Sequence, residues 1–193
     1  MVSPPTIALF AKYPRAGEAK TRLAPLLGDQ GAAEVHRKLV EKTLATMRAS
    51  GLPFAVRFAG APREDFAAWL GEDVPLVEQG EGDLGARLAR VVAPAILLGA
   101  DIPGLRVEHL TAAAAALAQA PVVIGPASDG GYYLLGFTAK MPFLWQDMPW
   151  GTETVRARTE ARLVEQNVPY RLLGELDDCD RPEDLAAWPE LLP

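Results

Sequence analysis

The sequence predicts an α/β protein, with one mixed, mostly parallel sheet covered by helices on both faces. Three observations predict it. Short apolar runs rich in β-forming residues alternate with stretches of helical length along the whole chain. The runs at 7–10 and 95–100 are apolar throughout, as strands buried on both faces are. The segments richest in Gly, Pro and charge fall just after strands, where open sheets of this type bind ligands.

The elements follow in order. Ile7 to Phe10 forms a first strand, and a loop of Pro, Gly and basic residues runs from Lys12 to Pro25. A long helix follows over residues 29–50, stopped by Gly51 and Pro53. Residues 54–59 are a strand, 63–70 a helix and 75–77 a short strand. Asp83 caps a helix running to about residue 92, ended by Pro94. Then come a strand at 95–100, a helix at 107–118, and strands at 122–125 and 132–137. A helix at 152–167, a strand at 170–173 and a short helix at 182–188 complete the chain. With 193 residues, about half of them apolar, and no repeat or linker, one domain over residues 1–193 is expected.

Composition removes several function classes. The net charge of −6 leaves no global basic footprint for nucleic acid, so an anionic ligand needs a local cluster of positive groups. The single cysteine, Cys179, cannot close an intrachain disulfide. His36 and His109 lack ligand-like spacing and read as ordinary helix or surface residues. The first residues lack the basic and apolar regions of a signal peptide, and no apolar run is long enough to span a membrane. The expected setting is the cytoplasm, without membrane or nucleic-acid partners.

Five segments after strands are candidates for chemistry. Lys12, Arg15, Gly17, Lys20 and Arg22 concentrate positive charge in a loop whose glycine admits a ligand close to the backbone, which suits a phosphate cradle. It is not a Walker A loop, because Ala19 stands where glycine must precede the lysine. Asp101 ends a buried apolar strand, where a carboxylate needs a partner; Mg²⁺ or Mn²⁺ would serve, and a turn cap is the plainer reading. Asp129-Gly130-Gly131 is either a wall of an acceptor site or a simple hairpin turn. Thr152 either caps a helix or touches substrate. Asp177, Asp178 and Asp180 either supply a second metal ligand or form a solvated turn in which Asp180 caps the last helix.

A competing pattern is Gly80-Glu-Gly82-Asp83-Leu-Gly85, which matches the dinucleotide fingerprint and has Asp101 about twenty residues on. It defines an alternative, an NAD(P)-dependent oxidoreductase using Gly80, Gly82 and Gly85. Against it stand a short preceding strand ending in Glu78 and Gln79, and a basic first loop left unexplained. Seventeen glycines also make such spacings easy to find by chance.

Six segments, FAKYPRAGEAKTRL, GEGDLGAR, LLGADIPGL, GPASDGGYYLLG, WGTETV and LDDCDRPEDL, together resemble the DUF2064 family of predicted glycosyltransferases, over about residues 6–186. That family is similar to the wider group with the GT-A, nucleotide-diphospho-sugar transferase fold, and more distantly to molybdenum-cofactor and phospholactate guanylyltransferases. The resemblance implies a Rossmann-like three-layer α/β/α sandwich. It implies a nucleotide or nucleotide-sugar donor held by Lys12, Arg15, Gly17, Lys20, Arg22, Gly82 and Asp83, and a small-molecule acceptor. It places Mg²⁺ or Mn²⁺ on Asp101, with Asp180 as a second ligand. Many GT-A enzymes carry Asp-x-Asp where this chain has Asp101-Ile-Pro103, and a single aspartate is more like the nucleotidyltransferases.

The expected reaction is therefore metal-dependent group transfer, with Lys20 and Arg22 neutralising charge on the departing phosphates and Asp129 orienting the acceptor hydroxyl. Glycosyl transfer is the first form and nucleotidyl transfer with release of pyrophosphate the second. A nucleotide-binding protein without turnover is the non-enzymatic alternative. The donor base, the acceptor and the oligomeric state are not written in the sequence.

Overall fold

The computed structural model describes residues 3–193. Within them, seven strands form one sheet in the order β3-β2-β1-β4-β6-β5-β7. The strands are β1 (Thr6–Lys12), β2 (Phe54–Ala59), β3 (Leu76–Glu78), β4 (Ala95–Leu98), β5 (Val122–Pro126), β6 (Tyr132–Phe137) and β7 (Tyr170–Leu172). Only β6 runs antiparallel, to β4 and to β5; the other pairings are parallel. The expected mixed, mostly parallel sheet is what the chain forms.

Side chains alternate across the sheet, so each strand feeds two cores. Ile7, Leu9, Ile96, Leu98 and Leu134 belong to a core with residues of three helices, α1 (Ala24–Ser50), α2 (Arg63–Leu70) and α4 (Val107–Leu117). Ala8, Leu97, Ile124, Leu135 and Phe137 belong to a second, with α3 (Leu84–Leu88) and α5 (Val155–Glu165). A third cluster joins Leu23 and Leu39 to Cys179, Leu185 and Leu191, fastening the loop after β1 and helix α1 to the C-terminal segment. Burying a Leu or Ile side chain in such clusters contributes about 1.5–3 kcal/mol.

Helix boundaries differ from expectation in instructive ways. α1 begins at Ala24, but its first turn is separated by a kink at Gly28 (φ 70°), so the regular helix matches the expected 29–50. α3 stops at Leu88 instead of near residue 92, because the amides of Arg90 and Val91 bond to the carbonyls of Arg87 and Leu88, tightening the turn. α5 starts at Val155, since the Thr152 hydroxyl donates back to the Pro149 carbonyl (2.9 Å) and shapes a loop instead of capping the helix. The last expected helix is two 3₁₀ turns, Asp184–Ala187 and Pro189–Leu191, split where Pro189 cannot continue a helix. The β5–β6 connection is a hairpin turn at Asp129-Gly130.

This topology brings four loops to one edge of the sheet. They are residues 13–23 after β1, 99–105 after β4, 127–131 between β5 and β6, and 173–181 after β7.

Candidate active site

The loop after β1 is pinned by buried Ala19 and Leu23 and by the Glu18 and Ala19 amides bonding to the Arg15 carbonyl. Between these anchors Lys20 adopts φ 50°, a left-handed conformation that strains a residue with a side chain by about 1–2 kcal/mol. The Lys20 ammonium, its side chain only 5% exposed, lies 2.5 Å from Asp101 Oδ1 and 2.5 Å from Asp180 Oδ1, and donates to the Cys179 carbonyl at 2.8 Å. Burial opposes its charge, but the Asp101 and Asp180 carboxylates outweigh burial and hold its pKa above the ordinary lysine value. Burial likewise pushes the Asp101 carboxyl up, and Lys20 overcomes this and holds it below the ordinary range.

Backbone contacts set the two aspartates. The Cys179 amide donates to the Asp101 carbonyl (2.8 Å), tying the β4 loop to the C-terminal segment. Asp180 does not cap the last helix. Asp184 Oδ2 instead accepts from the amides of Asp180 (2.9 Å) and Arg181 (2.7 Å), and the Asp180 carboxylate is left to Lys20 and, at 3.5 Å, Arg22.

Lys12, Lys20, Thr21, Arg22, Asp101, Asp129 and Asp180 line one cleft of about 350 Å³. Its floor is His36, a buried residue of α1 whose Nε2–H donates to the Lys12 carbonyl at 3.0 Å. Of the expected phosphate-binding residues, Lys12, Lys20 and Arg22 meet there. Arg15 and Gly17 are exposed on the outer bend of the loop and do not line the cleft, because Arg15 is used through its backbone to close the turn. Gly82 and Asp83 also lie outside it. Asp83 caps α3 through Oδ1 and the Ala86 amide (2.8 Å).

Asp129 and Asp101 sit where this cleft meets a second, more apolar cavity of about 250 Å³. Phe10, Leu84, Leu88, Tyr132, Tyr133 and Trp150 supply its walls, and Asp178 joins the other aspartates at its mouth. Burial, then the charges of Asp129, Asp180 and Asp184, push the Asp178 carboxyl above its usual value. Of the segments singled out in the sequence, Asp129-Gly130-Gly131 and Thr152 contribute to this cavity, while its apolar walls Phe10, Leu84 and Leu88 carried no sequence signal.

The glycine fingerprint at 80–85 lacks the layout of a dinucleotide-binding unit. β3 is a three-residue edge strand, and β2 and β1 lie between it and β4, whose end carries Asp101. Gly85 serves packing instead: a Cβ there would meet the Trp145 carbonyl oxygen at 2.7 Å and Trp150 Nε1 at 3.0 Å.

The expected metal ligands converge, but Lys20 stands between them, and no cluster of three or more His, Cys, Asp or Glu side chains suited to a metal occurs among the described residues. Two carboxylates, one half exposed and the other 31% exposed, are donors a hard cation accepts. In this structure both carboxylates are taken up by Lys20.

The sheet order and the basic loop facing strand-end aspartates define the nucleotide-diphospho-sugar transferase fold. The chain belongs to the family described as an uncharacterized protein conserved in bacteria (DUF2064), whose model matches residues 43–152. A solved structure from Desulfovibrio desulfuricans G20, provisionally named a nucleotide-diphospho-sugar transferase, is 30% identical, with 95% of this chain and 85% of that one covered and a TM-score of 0.89. Rv0371c from Mycobacterium tuberculosis H37Rv in complex with manganese is 20% identical, covering 98% of each chain, with a TM-score of 0.56. A CMP:2-keto-3-deoxy-manno-octonic acid synthetase complexed with CTP is 15% identical, covering 98% of each, with a TM-score of 0.58. These last two likenesses are of fold. No curated protein matches the chain in sequence. No helix among the described residues is long and apolar enough to cross a membrane.

Proposed function

We propose that this protein transfers a group from a nucleotide-activated donor to a small acceptor. One observation carries the reading: Lys12, Lys20 and Arg22 from the loop after β1 share a cleft with Asp101, Asp129 and Asp180. Cationic side chains there bind the donor's phosphates, and the carboxylates hold a divalent cation. A fold relative in complex with manganese and another in complex with CTP support this assignment of ligands.

Asp101 and Asp180 would hold Mg²⁺ or Mn²⁺, which would supply neutralisation of charge on the phosphates. Lys20 pairs with the same carboxylate oxygens and would be free to pair with a donor phosphate where those oxygens held a cation. Arg22, on the exposed side of Asp180, adds a second positive group for the leaving diphosphate. The acceptor's hydroxyl oxygen forms a bond to the transferred carbon. The donor's bond to its diphosphate breaks with its electron pair leaving on oxygen, and the hydroxyl proton passes to the Asp129 carboxylate.

Glycosyl transfer is the principal reading. Nucleotidyl transfer is the second, and one observation favours it: Ile102 and Pro103 after Asp101 are buried, so the β4 loop offers a single carboxylate to the cleft. In that case the acceptor oxygen bonds to the α-phosphorus and pyrophosphate leaves. Incubation with Mn²⁺, a panel of acceptors and either nucleoside triphosphates or nucleotide sugars separates the two. Release of nucleoside diphosphate identifies glycosyl transfer, and release of pyrophosphate identifies nucleotidyl transfer. Nucleotide binding with no release from any pair leaves a binding protein and overturns the enzymatic reading.

A further inference from the structure

The apolar cavity beside the cationic cleft differs from it in charge as well as polarity. Lys, Arg and His are all missing from its lining. Its walls are Phe10, Leu84, Leu88, Tyr132, Tyr133 and Trp150, and its polar rim is four carboxylates, Asp101, Asp129, Asp178 and Asp180. The cations of the site stand on the other side of that rim, in the donor cleft.

We propose that this cavity is the acceptor site, and that it takes an acceptor with an apolar body and no anionic group, presenting a hydroxyl or amine to Asp129. The assignment rests on the transferase reading above. It follows from two physical facts. An apolar body gains by leaving water for walls of Trp, Tyr, Phe and Leu. A phosphate or carboxylate in the same place would lose its hydration and find no cation in the lining, while facing Asp129 and Asp178, the two rim carboxylates that Lys20 does not pair with. A phosphate-bearing acceptor is thereby selected against, and a hydroxyl or amine acceptor is selected for. Asp129 lines both cavities, so a nucleophile held by the apolar walls faces the donor across it.

A matched pair of probes tests this on the full chain: 2-naphthol and 2-naphthyl phosphate, titrated by calorimetry with Mn²⁺ and each of GTP, CTP and UDP-glucose present at saturation. The proposal expects 2-naphthol to bind together with a nucleotide and 2-naphthyl phosphate to bind at least about tenfold more weakly, as one unfavourable charge contact implies. A Leu84→Arg variant places a cation in the wall. Leu84 is 41% exposed, so the substitution is compatible with folding, which circular dichroism checks. That variant should narrow or reverse the preference. Equal or tighter binding of the phosphate by the wild type overturns the proposal. So does displacement of 2-naphthol by a nucleotide, which would make the cavity a base pocket. So does failure of 2-naphthol to bind while nucleotides bind, an outcome that leaves the transferase reading intact. If 2-naphthol binds and no nucleotide does, the transferase reading fails and the acceptor assignment falls with it.

Discussion

Replacing Gly130 with alanine tests how the mouth of the site is built. Gly130 has φ 87°, and an added Cβ would lie 2.2 Å from the Glu153 carbonyl oxygen, 2.8 Å from its Cα and 2.9 Å from its carbonyl carbon. All three are backbone atoms, and the Arg156 amide also donates to the Gly130 carbonyl at 3.2 Å, so neither side can yield by turning a rotamer. The left-handed backbone costs an alanine about 1–2 kcal/mol. Forcing apart two packed backbones adds about 1–3 kcal/mol. Against this, alanine restricts the unfolded chain, which returns about 0.4–1 kcal/mol. The net expectation is a loss of roughly 1–5 kcal/mol, which at about 2–4 °C per kcal/mol for a chain of this size lowers Tm by about 2–18 °C. Urea denaturation followed by circular dichroism gives the free energy, and a thermal scan gives Tm. A loss below about 0.5 kcal/mol, within the range of an ordinary surface change, would refute the argument. It would show that the Asp129 turn does not press on the 150–154 loop.

Three further outcomes follow from other contacts. Gly85→Ala should cost about 1–3 kcal/mol by urea titration, because its Cβ meets the Trp145 carbonyl at 2.7 Å; no loss would remove the packing role that displaced the dinucleotide reading. Burial lowers the His36 pKa more than its bond to the Lys12 carbonyl raises it. Below the ordinary value of about 6.5 the unfolded chain gains a proton that the native state refuses, so stability falls as pH drops through that region. His36→Gln should lose less Tm than wild type between pH 7.5 and 5.5, and equal losses would contradict the assignment. Lys20→Met leaves two carboxylates facing each other, and because both are partly solvated the cost should be only about 1–2 kcal/mol. Mn²⁺ should raise the melting temperature of this variant more than that of wild type; an equal rise would mean that Lys20 does not share the cation's place.

The strands and several helices were legible because their signals are local. β2, α2 and β6 have the expected limits, each set by apolar patterning between Gly, Pro or Asp punctuation. The reversed direction of β6 and the strand order depend on pairings between distant segments, which no local pattern encodes. Asp101 stands out because an unpaired carboxylate at a strand end needs a partner, and Lys20 and Arg22 because they crowd one loop with positive charge, yet the partnership of Lys20 with Asp180 spans 160 positions and has no signature. Asp180 was read as a helix cap as readily as a ligand, since nothing in the sequence showed that Asp184 would take the backbone amides. Asp83 was legible as the cap of α3, and its Oδ1 accepts from the Ala86 amide as expected, whereas Gly82 stands out only by the glycine spacing and lies outside the cleft. Of the apolar cavity, the Asp129-Gly130-Gly131 and Thr152 segments were legible as candidates; its apolar walls come from β1, α3, β6 and the 150–152 loop, which no local pattern brings together.

The central claim is tested most directly by measuring nucleotide binding to wild type and Asp101→Asn by calorimetry, with and without Mn²⁺. The panel would be GTP, CTP, UDP-glucose and NADH. Wild type should bind a nucleotide or nucleotide sugar in a Mn²⁺-dependent way, and Asp101→Asn should lose that dependence while keeping its fold. Binding of NADH alone, indifferent to Mn²⁺ and to Asp101, would contradict it.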